Sequence, residues 1–262
     1  MTLKLFAALA CGLLLAGQAA RAEIKTESID YSQGGTALRG FLAYDDAVTG
    51  KRPGVLIMHQ FMGLTPFEQG IAEKLAKMGY VAFAADVYGK DVHPKSPKEG
   101  FGVMAKVEHD NALWRARAKA GLAVLAGNQM VDTSRIGMIG YCFGGGTALE
   151  LDRTGAPIVA TVVFHGILTT PNPADAKNIK GHILALQGGD DPVVPQKDVA
   201  AFEAEMRAAH VDWQMVQYSN AVHAYTMVSA GNDNSKGAAY NAEADHRSWI
   251  AMTDFFNEYL KK

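Results

Sequence analysis

Cysteine is nearly absent from this chain of 262 residues, which contains only Cys11 and Cys142. Cys11 lies in an amino-terminal segment with an early Lys4, an apolar stretch and the ending Ala20-Arg21-Ala22, a pattern typical of a cleavable export signal. Cleavage after Ala22 would leave Cys142 alone, so the mature chain could form no internal disulfide. An unpaired thiol in an oxidising compartment is exposed to damage, and its retention indicates either use or deep burial.

Long hydrophobic runs and an excess of basic charge are also missing. The apolar stretch at residues 5–16 is too short to span a bilayer. Without Lys4 and Arg21, 23 of the 25 basic residues remain against 27 acidic ones, and the resulting net charge of −4 is not that of a nucleic-acid-binding protein. We therefore expect residues 1–22 to be removed and residues 23–262 to form a single domain. The mature protein is expected to be soluble and exported, periplasmic or secreted, without stable membrane association.

Short apolar segments alternate with amphipathic segments of helix length along the rest of the chain. Ile24 to Tyr31 and Ala37 to Tyr44 predict an antiparallel pair of strands joined through Gly34-Gly35. The later alternation predicts an α/β fold with a mostly parallel central sheet of about eight strands and helices on both faces. The stretch from Gly89 to Glu108 is rich in lysine, proline and glycine, and we expect a long irregular connection there that forms a lid or pocket wall.

The most informative motif is Gly140-Tyr141-Cys142-Phe143-Gly144, which follows an apolar run and precedes a helix-favouring one. A strand, a sharp turn and a helix in this order form a nucleophile elbow, in which small residues two positions before and after the nucleophile let the helix approach the strand. Cysteine occupies the position of the nucleophile. The alternative is a plain glycine-rich connection whose buried cysteine is only a small hydrophobic side chain.

Two further residues follow Cys142 in the order that α/β-hydrolases use, an acid and then a histidine. Asp191 and His223 both come after strand patterns, and ligands of open α/β sheets bind beyond the carboxyl ends of the strands. His223 would take the thiol proton, and Asp191 would hold the imidazole in the required tautomer. Asp191 is preferred to Asp190 because the prolines after it hold the loop at the rim of the sheet.

An oxyanion formed at this site needs hydrogen-bond donors. The expected donors are the backbone N–H of Phe143 and that of Phe61, in the loop after the third strand. His59 and His165 also follow strand patterns, but buried histidines are usually only hydrogen-bonded, so we expect supporting roles for both.

These residues resemble the dienelactone hydrolase family of the α/β-hydrolases, from about the third strand to the last helix. The likeness rests on six segments: residues 58–63, 85–89, 140–145, 164–166, 191–192 and 223–225. The resemblance implies a Cys-Asp-His triad, here Cys142, Asp191 and His223, that hydrolyses lactones or small esters, as a carboxymethylenebutenolidase does. It also implies that no cofactor or metal is needed.

The chain departs from the family pattern at two positions. The resemblance implies a glutamate that interacts with the thiol where Gln60 stands, and an arginine for the substrate carboxylate where Met227 stands. An amide cannot take a proton, so thiol activation would rest on His223. We expect Gln60 and Met227 to line the substrate pocket together with Tyr141 and Tyr225. A replacement cation could come from lysines of the predicted lid, although a solvated charge run is the simpler interpretation; these lysines are Lys95, Lys98 and Lys106.

The sequence thus predicts acyl transfer to Cys142 with water as the final acceptor. One alternative is a general carboxylesterase or thioesterase of the same fold. Another is a non-catalytic protein whose thiol has a binding or redox-sensing role. The expected partner is a small ester or lactone and not a nucleic acid, and the protein is expected to be a monomer or a small homo-oligomer.

Overall fold

The computed structural model describes residues 23–261, so the predicted signal peptide lies outside the described residues. The described chain begins with a hairpin of two long antiparallel strands, β1 (Ile24–Gln33) and β2 (Thr36–Asp45). Gly34 and Gly35 join them with φ angles of 57° and 80°, which glycine adopts without steric cost. The predicted antiparallel pair is confirmed.

Six further strands complete an eight-stranded sheet with the order β1-β2-β4-β3-β5-β6-β7-β8. They are β3 (Arg52–Met58), β4 (Val81–Ala85), β5 (Val131–Tyr141), β6 (Ala160–Phe164), β7 (His182–Gly188) and β8 (Trp213–Tyr218). All neighbours from β4 to β8 are parallel, and β2 pairs with β4 in the antiparallel sense. The mostly parallel sheet of about eight strands is confirmed. Every residue of β3, β4 and β6 is buried, because helices cover both faces of a parallel sheet.

Six α-helices accompany the sheet: α1 (Pro66–Lys77), α2 (Pro97–Glu108), α3 (Asn111–Gly127), α4 (Phe143–Asp152), α5 (Gln196–Ala208) and α6 (Ala242–Leu260). Helices α1 and α6 pack on one face of the sheet, and α3, α4 and α5 pack on the other. Alternate strand residues supply the two cores, since successive side chains of a strand point to opposite faces. None of the helices within residues 23–261 is long and apolar enough to cross a membrane.

The prediction of an irregular connection over Gly89–Glu108 is wrong for its second half, which is α2. Ser96 caps this helix by accepting a hydrogen bond from the Glu99 N–H, and Pro97 occupies the first turn, where proline is tolerated. Gly100 is a contact point, since a Cβ atom there would lie 2.8 Å from the Met62 sulfur. The residues that suggested a loop therefore begin a helix and let it pack closely.

Candidate active site

Cys142 lies at the sharp turn between β5 and α4, with φ 54° and ψ −118°. Residues with side chains rarely adopt this backbone conformation, and such strain persists only where the surroundings hold it. The Cys142 N–H donates to the Phe164 carbonyl at 3.1 Å, and the Cys142 carbonyl accepts from the N–H groups of Gly145 at 3.0 Å and Ile167 at 3.2 Å. Hydrogen bonds on both sides of the residue thus fix the elbow.

The two glycines of the motif allow this turn to form. A Cβ atom at Gly140 would lie 2.1 Å from the Gly144 carbonyl oxygen, and one at Gly144 would lie 2.1 Å from the Met58 carbonyl oxygen. Both contacts are with backbone atoms, so neither position can hold a larger residue unless the chain moves. Helix α4 consequently starts directly against the ends of β3 and β5.

His223 lies between Cys142 and Asp191. Its Nε2 atom is 3.1 Å from the Cys142 sulfur, and its Nδ1 atom is 2.9 Å from Asp191 Oδ2. The other carboxylate oxygen of Asp191 accepts hydrogen bonds from the N–H groups of Val193 at 2.8 Å and Val194 at 3.1 Å. Both oxygens are therefore held in place. Asp190 is exposed, and within residues 23–261 its side chain forms no hydrogen bond to His223.

Opposing effects act on the imidazole of His223. Burial lowers its pKa by penalising the charged form, but the hydrogen bonds to Asp191 and Cys142 and the negative charges of both groups outweigh burial. The net effect raises the pKa of His223 well above its usual 6.5.

His165 contacts His223 from behind the proposed triad. The two rings are edge to face, with centroids 5.2 Å apart, and His165 Nε2 lies 2.9 Å from the Thr226 hydroxyl oxygen. Burial and the nearby charge of His223 hold the pKa of His165 well below its usual value. His165 is therefore neutral and adds no second positive charge beside His223.

His59 connects the loops that follow β3 and β4. Its Nδ1 lies 2.7 Å from the Gln60 carbonyl oxygen, and its Nε2 accepts a hydrogen bond from the Val87 N–H at 3.2 Å. A ring nitrogen that accepts is unprotonated, so the contacts fit the tautomer with the hydrogen on Nδ1. His59 and His165 both fix the surroundings of the thiol, and neither contacts the sulfur of Cys142.

Glu68 is a further residue that shapes the site, and the predictions above do not include it. It is fully buried, accepts the Gln60 N–H at 3.3 Å, and accepts the Thr65 N–H at 2.8 Å. The same carboxylate closes a capping box at the start of α1 and so fixes the loop after β3 to that helix. The pattern Thr65-Pro66-Phe67-Glu68 is a sequence signal that could have identified it.

Two backbone N–H groups near the elbow have no acceptor within the described part of the chain. Those of Phe61 and Phe143 have no acceptor among the hydrogen bonds of residues 23–261. Phe143 is the first residue of α4, and N–H groups in the first turn of a helix have no partner within it. Tyr88 donates its hydroxyl hydrogen to the Phe61 carbonyl at 3.1 Å, which fixes the position of the loop.

A cavity of about 610 Å³, which we call the thiol cavity, opens at Cys142 and His223. Most of its wall is apolar. Phe61 and Phe101 form one side of it, with their rings stacked at 4.5 Å, and so place α2 over the cavity. Gln60 and Met227 line the thiol cavity as the sequence suggested.

The lysine that lines the thiol cavity lies outside the predicted lid. Lys95, Lys98 and Lys106 are absent from its lining, whereas Lys236 is part of it. The Lys236 side chain is 73% exposed, and its Nζ lies 3.7 Å from Asp233 Oδ2. The loop that carries Lys236 is tied to His223, because the His223 N–H donates to the Gly237 carbonyl at 3.2 Å.

Two predicted pocket residues lie in the core instead, so their assignment to the pocket is wrong. Tyr141 precedes Cys142 on the strand and points to the opposite face, where it stacks on Phe164 at 4.6 Å. Tyr225 is fully buried and donates its hydroxyl hydrogen to the Leu186 carbonyl at 3.0 Å. Nearness in sequence to the reactive residues did not predict the direction of either side chain.

No group of three or more His, Cys, Asp or Glu side chains within residues 23–261 is arranged to hold a metal ion.

The model of the dienelactone hydrolase family matches residues 38–260 of the chain. The chain belongs to the dienelactone hydrolase family. The match therefore includes Cys142 and its elbow, Asp191 and His223.

Two solved structures and one curated relative illustrate the similarity. The structure named m3DLH is 38% identical, has a TM-score of 0.87, and aligns over 90% of this chain and 99% of its own. A dienelactone hydrolase-like promiscuous phosphotriesterase from metagenomic libraries is also 38% identical, with a TM-score of 0.86 over 90% and 98% of the two chains. A Yersinia pestis protein named as a candidate carboxymethylenebutenolidase is 26% identical over 237 residues, 86% of this chain and 85% of its own. This dienelactone hydrolase-like protein is accordingly a hydrolase.

Proposed function

We propose that this protein hydrolyses lactones or small carboxylic esters by acyl transfer to the thiolate of Cys142. The observation that carries the proposal is the chain of contacts from Cys142 through His223 to Asp191, at 3.1 Å and 2.9 Å. A nucleophile, a base and an orienting acid within hydrogen-bonding distance are the requirement for this type of catalysis. The carboxymethylenebutenolidase name of the Yersinia pestis relative supports the substrate class.

The first half of the reaction forms a thioester. His223 takes the proton of the Cys142 thiol, and the thiolate attacks the acyl carbon of the substrate. The N–H groups of Phe61 and Phe143 stabilise the negative oxygen of the tetrahedral intermediate. When the carbon–oxygen bond breaks, His223 gives its proton to the leaving alkoxide, which in a lactone stays attached to the acyl group.

The second half releases the acid. His223, now neutral, removes a proton from water, and the resulting hydroxide attacks the thioester carbon. The carbon–sulfur bond then breaks, which returns Cys142 as a thiolate beside protonated His223. In both halves Asp191 holds Nδ1 of the imidazole, and it stabilises the positive charge that His223 acquires.

The lining of the thiol cavity favours uncharged substrates. Met227 offers no charge to a substrate carboxylate, and Gln60 can only donate or accept a hydrogen bond. Lys236 belongs to the cavity lining, but its side chain is largely exposed and has Asp233 beside it. Exposed ion pairs of this kind contribute about 1 kcal/mol or less. Neutral esters and lactones are therefore the preferred substrates.

A second candidate activity is the hydrolysis of neutral phosphotriesters. The relative from metagenomic libraries, whose name includes phosphotriesterase, is 38% identical to this chain. The size of the thiol cavity, about 610 Å³, and its apolar wall suit an uncharged triester. General carboxylesterase or thioesterase activity would use the same thiol and the same donors, so the substrate alone distinguishes these activities.

The test of the main proposal is a substrate screen combined with detection of the covalent intermediate. Purified protein is assayed on lactones, p-nitrophenyl esters, thioesters and a neutral phosphotriester, and rapidly quenched samples are analysed by intact mass spectrometry. We expect an acyl adduct on Cys142 during ester turnover. Ester hydrolysis that persists after alkylation of Cys142 would contradict the proposal, and a reactive thiol without any turnover would favour the binding or sensing alternative.

A further inference from the structure

A second cavity, of about 390 Å³, lies between α1 and α6 and does not include Cys142. Tyr141 and Phe164 form its floor at the ends of β5 and β6, and Phe67 and Trp249 stand on its helical walls. This α1/α6 cavity shares no lining residue with the thiol cavity. Its volume is within the range of roughly 300–1,000 Å³ of small-molecule sites.

The floor contains a polar group without a protein partner. Tyr141 is 1% exposed, and its hydroxyl has no hydrogen bond to any of residues 23–261. Asp245, which lines the same cavity, is close enough to raise the pKa of Tyr141 further after burial has done so. Because Tyr141 lines the cavity, its hydroxyl is a donor available to a molecule that occupies the cavity.

The mouth of the cavity carries more positive than negative charge. Lys74 and Lys77 of α1 are exposed there, and neither forms an ion pair with another described residue. The Lys74 ammonium lies 5.5 Å from the centre of the Trp249 ring. Asp245 is the opposing acid, and it already accepts a hydrogen bond from the Tyr240 hydroxyl at 3.2 Å. An entering anion would therefore be attracted to the mouth.

We propose that the α1/α6 cavity is a second ligand site, which binds a small carboxylate with an aryl or alkyl body. The apolar body packs between Phe67 and Trp249. The carboxylate accepts the free hydrogen of Tyr141 and is attracted by the ammonium groups of Lys74 and Lys77. Acids released by ester hydrolysis have this chemistry, but the site itself does not depend on Cys142 being a nucleophile.

Calorimetric titration of the purified protein with 3-phenylpropionate and with its neutral amide, 3-phenylpropionamide, tests this proposal. Each titration is repeated after Cys142 has been alkylated with iodoacetamide, which obstructs the thiol cavity and leaves the second site open. We expect the carboxylate to bind with and without alkylation, with a Kd that changes by less than about twofold. The amide is expected to bind about tenfold more weakly, since it lacks the charge.

Two variants test whether the carboxylate binds in the α1/α6 cavity. Tyr141→Phe removes only the hydroxyl and should weaken carboxylate binding about fivefold, the ratio expected for one hydrogen bond. Lys77→Glu reverses an exposed charge at the mouth, without affecting folding, and should weaken binding by about the same factor. Lys197→Glu is the matched control, because Lys197 is an exposed helical lysine far from this cavity, on α5.

The proposal is overturned if alkylation abolishes binding, because the acid would then occupy only the thiol cavity. It is also overturned if the amide binds as tightly as the acid, if Lys77→Glu weakens binding no more than Lys197→Glu, or if no binding is detected. Should Tyr141→Phe fail to fold, the amide and the Lys77→Glu comparison still decide the question.

Discussion

The imidazole rings of His165 and His223 meet edge to face, with centroids 5.2 Å apart, yet their pKa values shift in opposite directions. Burial lowers the pKa of His165, and the charge of His223 lowers it further. His223 is also buried, but its hydrogen bonds to Asp191 and Cys142 raise its pKa. Since only one of two adjacent histidines can be charged, the proton is held at the ring that contacts the thiol.

The raised pKa of His223 predicts the pH above which kcat/KM falls. The free enzyme is competent while His223 carries the proton that the leaving alkoxide needs. That proton is lost as pH rises through the raised pKa, so kcat/KM should fall only well above pH 6.5, the usual pKa of histidine. The measurement is kcat/KM for a neutral ester between about pH 5 and pH 10, corrected for uncatalysed hydrolysis.

Asp191→Asn removes one of the groups that raise the pKa of His223. The kcat/KM of this variant should therefore fall at a lower pH than that of the unmodified enzyme. Asp190→Asn is the matched control and should leave this pH unchanged. An unmodified enzyme whose activity already declines near pH 6.5 would disprove the assignment of the raised pKa to the active form.

The triad itself predicts the ranking of four variants. Cys142→Ala and His223→Ala should remove nearly all hydrolysis while circular dichroism stays unchanged. Asp191→Asn should lower kcat by up to about 10⁴, as for an acid that sets the histidine tautomer. Asp190→Asn should cost little, because that side chain is exposed. A crippling effect at Asp190, or full activity of Cys142→Ala, would show that the roles are misassigned.

Close packing at the elbow predicts a stability effect. Gly144→Ala places a methyl carbon 2.1 Å from the Met58 carbonyl oxygen and should lower the free energy of unfolding by about 1–3 kcal/mol. Gly102→Ala is the control, since this helical glycine of α2 has nothing within 4 Å. It should leave the free energy of unfolding unchanged or raise it by up to about 1 kcal/mol. Denaturant titration measures both, and equal effects would argue against the tight elbow.

The charge of the thiol cavity predicts substrate preference. A carboxylated lactone should have a lower kcat/KM than its neutral methyl ester, roughly 30-fold lower if the loss is that of one partner of a buried charge pair, about 2 kcal/mol. Met227→Arg should narrow this gap. Lys236→Gln should widen it slightly, whereas Lys98→Gln should not, because only Lys236 lines the cavity. A strong preference of the unmodified enzyme for the carboxylated lactone would contradict the expectation, and loss of that preference in Lys236→Gln would identify Lys236 as the cation responsible.

The amino-terminal segment predicts that an export signal is cleaved from the chain. Export should yield a chain that begins at Glu23 and carries one free thiol, Cys142. Intact mass spectrometry of the exported protein, with and without a thiol alkylator, measures both properties. A mature protein that retains Cys11, or that carries lipid on it, would overturn the proposed soluble, periplasmic or secreted form.

The sequence by itself determined the order of the elements and the residues around the thiol. Gly140 and Gly144 flank Cys142 at the spacing that a strand-to-helix turn needs, and this constraint is local, so it is readable from a few adjacent letters. The strands could be recognised for a similar reason, since buried parallel strands are continuous apolar runs. The positions of Asp191 and His223 followed from the chain order and from their place after such runs.

Tertiary structure decided what surrounds these residues. Tyr141 turns away from the thiol cavity because alternate residues of β5 face different helices, and Lys236 reaches the cavity because its loop is hydrogen-bonded to His223. The α1/α6 cavity likewise exists only because two helices, more than 160 residues apart in the chain, pack side by side on one face of the sheet. Long-range packing sets the direction of a side chain and the shape of a cavity, and neither is encoded in the neighbouring residues alone.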